Sequence, residues 1–148
     1  MNTRLLYRTA AWMFVLFAVA HTLGFLGFRP ANADASAVWN SMMNVHFEVG
    51  HASFTYGGFY VGFGLYVTAY LLFSALLAWH LGGLAGRSPE AIGMLGWAFC
   101  GVQVASVVLS VSYFSIAPAL LSAILAGCLG WAAINLRERP TVRGNRDS

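Results

Sequence analysis

The segment HFEVGH, residues 46–51, places two histidines and a glutamate within six positions of a chain in which only 9% of residues are charged. Imidazole nitrogens bind metal ions or relay protons, and a neighbouring carboxylate can serve as a base or a third ligand. The spacing limits what the segment does alone. On a helix, His46 and His51 would lie about 140° apart, and they lack the i, i+4 separation of the H-E-x-x-H zinc helix. Glu48 and His51, three apart, could meet on one helical face. A further histidine, His21, sits beside Thr22 in the apolar run AVAHTLGF. An ionisable residue inside a membrane span is a candidate for function by default. The candidate polar site is therefore His21, Thr22, His46, Glu48 and His51, with His21, His46 and His51 as the metal-donor set. His80, at the far end of the second apolar run, is a separate candidate for haem ligation alongside His21. The competing structural reading is that a neutral histidine donates to a carbonyl and holds two helices in register.

The elements that would position these residues follow from composition. Apolar residues make up 59% of the 148-residue chain, and charged residues fall far below the roughly 25% of a soluble domain. Four runs, at about 5–27, 56–81, 91–113 and 115–136, are each long enough to cross a hydrocarbon core of ~30 Å. The expected fold is all-α: a single membrane domain over residues 1–148, with four transmembrane helices in an up-down bundle. Pro118 suits the first turn of the fourth helix, where a missing N–H costs nothing.

The arginines set the expected orientation. Arg4, Arg8, Arg87, Arg137, Arg139, Arg143 and Arg146 gather on one side of this topology, and Arg29 stands on the other. The positive-inside rule then places both termini in the cytoplasm of a multi-pass protein of the bacterial inner membrane. Trp12, Trp79, Trp97 and Trp131 fall towards the same interface, as an aromatic belt would. The basic balance reflects topology and anionic lipid and gives no reason to expect nucleic acid. Arg4, Arg8 and the A-x-A pattern at Ala33 and Ala35 suggest a cleaved signal peptide, but the first apolar run is longer than such segments have. Cys100 and Cys128 lack zinc-site spacing and read as small packing residues. The polar stretch 137–148 reads as a mobile basic tail.

Between the first two spans, SAVWNSMMNVHFEVGH carries Val38, Trp39, Met42, Met43, Val45, His46 and Val49 at helical spacing. This predicts an outer amphipathic helix over about 36–50, capped by Ser36 and stopped by Gly50. Such a helix would bring the end of HFEVGH over His21. In the second span Phe59, Phe63, Tyr66, Tyr70 and Phe73 recur at steps of four and three and share one face. Gly57, Gly64 and Ala75 lie on the reverse side, where small residues admit a neighbouring helix. A stack of rings with hydroxyls could line a slot for a quinone, sterol, carotenoid or tetrapyrrole, or could equally be packing or lipid contact. Phe14, Phe17, His21, Phe25 and Phe28 form a matching run in the first span.

With HTLGFLGFRP, the following Trp39, Met43 and Phe47, and FYVGFG at 59–64, the first half of the chain resembles a family of small, uncharacterised bacterial four-helix integral membrane proteins. His21, Thr22 and Gly24 match that family's H-T-x-G, and Phe59, Tyr60, Gly62 and Gly64 match its F-Y-x-G-F-G. The resemblance implies fold and membrane location and no activity, and it favours His21 over His46 and His51.

Three classes of function compete. A binding or accessory module would hold an apolar small molecule or a partner within a larger membrane complex, and homo-oligomers are compatible with it. A membrane enzyme, or a metal or haem protein, would use His21 with His46, Glu48 and His51, although no nucleophile stands at recognisable spacing from a base. A proton-coupled transporter would need a buried acid, and no Asp or Glu lies within any span. The first reading is preferred; whether the chain is an enzyme, and which cofactor it carries, the sequence leaves open.

Overall fold

The computed structural model describes residues 2–138. The expected tail therefore lies outside the described residues beyond Glu138. Four long helices carry the apolar runs: α1 (Thr3–Leu26), α3 (Tyr56–Arg87), α4 (Gly93–Tyr113) and α5 (Ile116–Arg137). A shorter helix, α2 (Ala33–Asn44), and a hairpin of β1 (His46–Val49) and β2 (Ala52–Thr55) fill the connection between α1 and α3. Large apolar side chains stand exposed along all four long helices, among them Leu16, Leu23, Leu76, Val108, Val111 and Ile116. Water would not tolerate so much contiguous apolar surface, whereas hydrocarbon does. The chain is a multi-pass, mostly all-α membrane protein with four candidate spans.

The chain divides into two compact units, one of Phe14–Ser74 and one of Met1–Met13 with Ala75–Ser148. In the second, α4 and α5 are joined through Phe114 and Ser115 and pack along each other. Pro118 lies in the first turn of α5, as expected. Tyr7, Leu81, Ile92, Leu125 and Leu129 are fully buried there. Gly82 lets α3 close on the start of α1: a Cβ added there would meet the Arg4 carbonyl and Tyr7 Cβ at 3.4 Å. This contact explains why α3 runs through Gly82 and Gly83 to Arg87 rather than ending near 81. Trp12 and Trp79 meet edge to face at 6.4 Å, and the Arg8 guanidinium lies 4.6 Å above the Trp79 ring.

In the unit of Phe14–Ser74, α2 differs from the expected helix at both ends. Its cap is Asn32, whose side chain accepts from the Ala35 amide at 2.8 Å. Ser36 sits a turn later and donates its hydroxyl to the Asn32 carbonyl. The helix stops at Asn44, and HFEVGH is no helix end: it forms β1 and the turn. Two periodicities overlap here. The 3.6-residue spacing of 36–49 competes with strict alternation over VHFEV and ASFT, and the alternation wins from Val45 onward. Gly50, read as a helix stop, has φ +63°. It occupies the first position of a two-residue turn with His51, the place a type II′ hairpin reserves for glycine.

Tight approach at α4 gives a direct test. Tyr7 is fully buried, its hydroxyl finds no hydrogen-bond partner among the described residues, and a Cβ on Gly96 would lie 2.9 Å from that oxygen. Gly96→Ala is expected to destabilise the protein by about 1–3 kcal/mol through overpacking. Most of that loss should vanish in a Tyr7→Phe background, where the oxygen is gone. SDS-titration unfolding of the four members of this cycle checks it.

Candidate functional site

His21 stands late on α1, and α1 is hydrogen-bonded to α3 there. Its Nε2 lies 3.1 Å from the Gly64 carbonyl oxygen. A carbonyl only accepts, so Nε2 carries the proton and donates, which leaves Nδ1 as the ring's open lone pair. One turn on, the Thr68 hydroxyl reaches the same carbonyl at 3.2 Å. Thr22, beside His21, donates to the Ala18 carbonyl at 2.7 Å and meets the Thr68 hydroxyl at 2.8 Å. Two hydroxyl protons thus serve three contacts: with Thr22 donating to Ala18, Thr68 divides its proton between Thr22 and Gly64. All these groups are part-buried, and the result is a polar clasp between two apolar helices.

Gly64 is required for more than its carbonyl. A Cβ there would fall 2.8–2.9 Å from three atoms of the Phe25 ring. Phe25 in turn lies against the His21 imidazole, centroids 5.1 Å apart and planes tilted by 39°. The ring holds the imidazole from one side while the carbonyl fixes its edge. Neither the Gly64–His21 bond nor the role of Thr68 is legible in the sequence; the only signal is a threonine four residues after a glycine in an apolar run.

The other predicted site residues go elsewhere. His46 begins β1, exposed, with Nδ1 2.8 Å from the Asn44 carbonyl. Glu48 lies mid-strand opposite Ser53, and His51 is the second residue of the turn. No group of three or more His, Cys, Asp or Glu residues among the described ones is placed to hold a metal ion. His21, His46 and His51 are therefore not brought together as a donor set. Glu48 and His51 lose the helical i, i+3 relation on which their meeting depended, because the segment is a hairpin. His80 is an exposed residue of α3. Ligation by His21 through Nε2 would cost the Gly64 bond, so its available chemistry is that of a donor already committed and one free acceptor.

The aromatic set forms a continuous ladder. Phe47 of β1 lies 6.1 Å from Phe54, 4.9 Å from Tyr56 and 6.0 Å from Phe59 by ring centroids. Phe59 meets Phe63 at 4.6 Å, and Phe63 meets Tyr66 at 6.4 Å. These distances lie within the range of favourable edge and offset contacts. The rings do not line a closed slot: Phe59, Phe63, Tyr66 and Phe73 are 57%, 55%, 77% and 64% exposed. Tyr70 is half-buried. On another side of α3, Tyr60 meets Trp39 of α2 at 5.9 Å, and Trp39 meets Phe28 at 5.5 Å. Gly57 seats α2, since a Cβ there would approach the Met42 carbonyl and Met43 Cα to 3.2 Å.

Fold and site together describe a multi-pass membrane protein with an interhelical polar clasp between α1 and α3 and an open ladder of rings. The chain matches no protein-family model, and no curated protein or solved structure matches it either.

The clasp predicts graded losses. Thr68→Val is expected to cost about 0.6 kcal/mol and no more than ~1.7, the measured range for interhelical hydrogen bonds in membranes. His21→Ala should cost more, because it also removes the face against Phe25. Unfolding midpoints in mixed micelles give both values.

Proposed function

We propose that this protein is a binding or accessory module of the bacterial inner membrane, with both termini cytoplasmic and its four spans in an up-down bundle. Its proposed ligand is a flat, apolar ring molecule, of the quinone or tetrapyrrole kind, lying against the α3 ladder. The observation that carries this reading is the run of successively touching rings Phe47, Phe59, Phe63 and Tyr66, the last three more than half exposed. Acyl chains are served equally well by leucine or valine, which make up much of the remaining exposed surface of the spans. Aromatic faces add stacking and edge contacts worth about 0.5–1.5 kcal/mol each to a ring and nothing comparable to a chain. The Tyr66 hydroxyl, 77% exposed as a residue, supplies a donor for a ring carbonyl at the same face.

The arginine distribution supports the orientation, and the HTLG and FYVGFG segments support placing the chain with the small bacterial four-helix proteins they resemble. The clasp supports a scaffold role for His21, since its donor is spent on backbone. No geometry at His46, Glu48 or His51 favours an enzyme over this reading.

The protein, extracted with its native lipid in polymer discs, is expected to carry a ring compound visible by absorption and by mass spectrometry of the extract. A Phe59→Leu, Phe63→Leu double variant removes two ring contacts and should lower that yield by about tenfold. Both side chains are half-exposed, so the fold should survive. Extracts no richer in any ring compound than the surrounding membrane would overturn the proposal. Haem bands or a stoichiometric metal that disappears in His21→Ala would replace it with ligation at that residue.

A further inference from the structure

The hairpin is a two-stranded sheet, and its β1 edge has no neighbouring strand among the described residues. Phe47, Val49, Ala52 and Phe54 alternate onto one face, and Phe47 on that face meets the α3 ring Phe59. His46, Glu48, Ser53 and Thr55 fall on the opposite, polar face. The Tyr56 amide donates to the Val45 carbonyl at 3.4 Å. Hydrogen-bonded pairs alternate with non-bonded ones along an antiparallel ladder. Val45, Phe47 and Val49 therefore point their amides and carbonyls at β2, and those of His46 and Glu48 point away from it. α2 packs against β2. On the β1 edge, both residues whose backbone points outward are exposed.

An isolated two-stranded hairpin is marginal, and an open edge is a template for another strand. We propose that the β1 edge pairs with β1 of a second copy of this chain, making a four-stranded sheet across a twofold axis. The partner is specified by the sequence of the strand itself. Only His46 and Glu48 present backbone groups outward, so an antiparallel partner must oppose these two positions with its own. Placing His46 against His46 or Glu48 against Glu48 satisfies one pair and sets like groups together. Centring the axis on Phe47 satisfies both pairs, giving four backbone hydrogen bonds and His46 facing Glu48 of the second copy twice. Phe47 then faces Phe47 as the close, non-bonded pair.

The second copy also fits the bilayer. The twofold of an antiparallel strand pair is perpendicular to the sheet. With its Phe47–Phe54 face on hydrocarbon and its polar face in water, the sheet lies flat, and that axis coincides with the bilayer normal. Two copies inserted the same way round can therefore pair. Of the ring ladder only Phe47 lies at this axis; the pairing is made by the backbone of His46 and Glu48 and needs no ligand.

Disulfide trapping in membranes tests partner and register together. The α-carbons of a non-bonded pair lie about 4.5 Å apart, within the reach of a disulfide. Full-length Phe47→Cys, oxidised with copper phenanthroline, is expected to give a covalent dimer. Val49→Cys should not, since each Val49 faces Val45 of the other copy; wild type controls for Cys100 and Cys128. Co-expressed His46→Cys and Glu48→Cys copies, differently tagged, should join to each other and scarcely to themselves. These exposed positions keep the test valid even if Phe47→Cys disturbs folding. Glu48→Arg in the Phe47→Cys background should lower the yield by roughly threefold or more, by replacing both cross-strand His46–Glu48 pairs. Adding His46→Glu should restore it. Absence of dimer from both Phe47→Cys and the mixed pair overturns the proposal, as does a Val49→Cys yield equal to that of Phe47→Cys.

Discussion

Two apolar helices in hydrocarbon gain nothing from hiding apolar surface, because lipid tails solvate it as well as a neighbour does. What remains is close contact, and close contact requires the absence of a side chain where backbones or rings must approach. This constraint governs each unit of the chain. Gly64 admits the Phe25 ring, Gly57 admits the backbone of α2, and Gly82 admits the start of α1. At Gly96 the space is occupied by the Tyr7 hydroxyl. Gly57 and Gly64 of α3 are therefore not weak points in a helix, which is what their propensity alone would imply. They are where the other elements attach.

Polar groups are spent sparingly and locally. His21, Thr22 and Thr68 bond to helix carbonyls or to one another. An imidazole donating to a helix carbonyl adds a bond across the two helices without removing a side chain from the apolar faces. The Tyr7 hydroxyl is the contrasting case. It is buried without a partner among the described residues, a state that ordinarily costs about 1–3 kcal/mol, and its ring's packing against α4 must offset this.

The spans are legible in the sequence because hydropathy over 20 residues is a summed signal that single side chains cannot overturn. Their ends can be read to within a few residues, except at α3, where a Gly-Gly pair looks like a stop. The connection between α1 and α3 misleads for a physical reason: Val38 to Val49 satisfies a helical period, while Val45 to Thr55 satisfies a strand period, and a window on either side gives a different answer. The glycine at the turn, followed by one more residue before alternation resumes, carries the deciding information. For the site, residue type singles out His21, which the fold places in a hydrogen bond between α1 and α3. Its partners are beyond reach because they depend on which faces of α1 and α3 meet, and nothing local to either helix encodes that. The residues carrying the family resemblance nevertheless converge: His21 of HTLG bonds to Gly64 of FYVGFG, and Trp39 meets Tyr60.

No linker separates β2 from α3: Thr55 ends the strand and Tyr56 begins the helix. The hairpin is thus a rigid pointer fixed to the end of a shaft. A slip of one residue along α3 would turn its faces by about 100° and advance it by only ~1.5 Å. A modest axial displacement, compensated by rotation to keep the same helical groove, would therefore swing the hairpin through a wide arc. Small adjustments of α3 would become large angular changes of the hairpin.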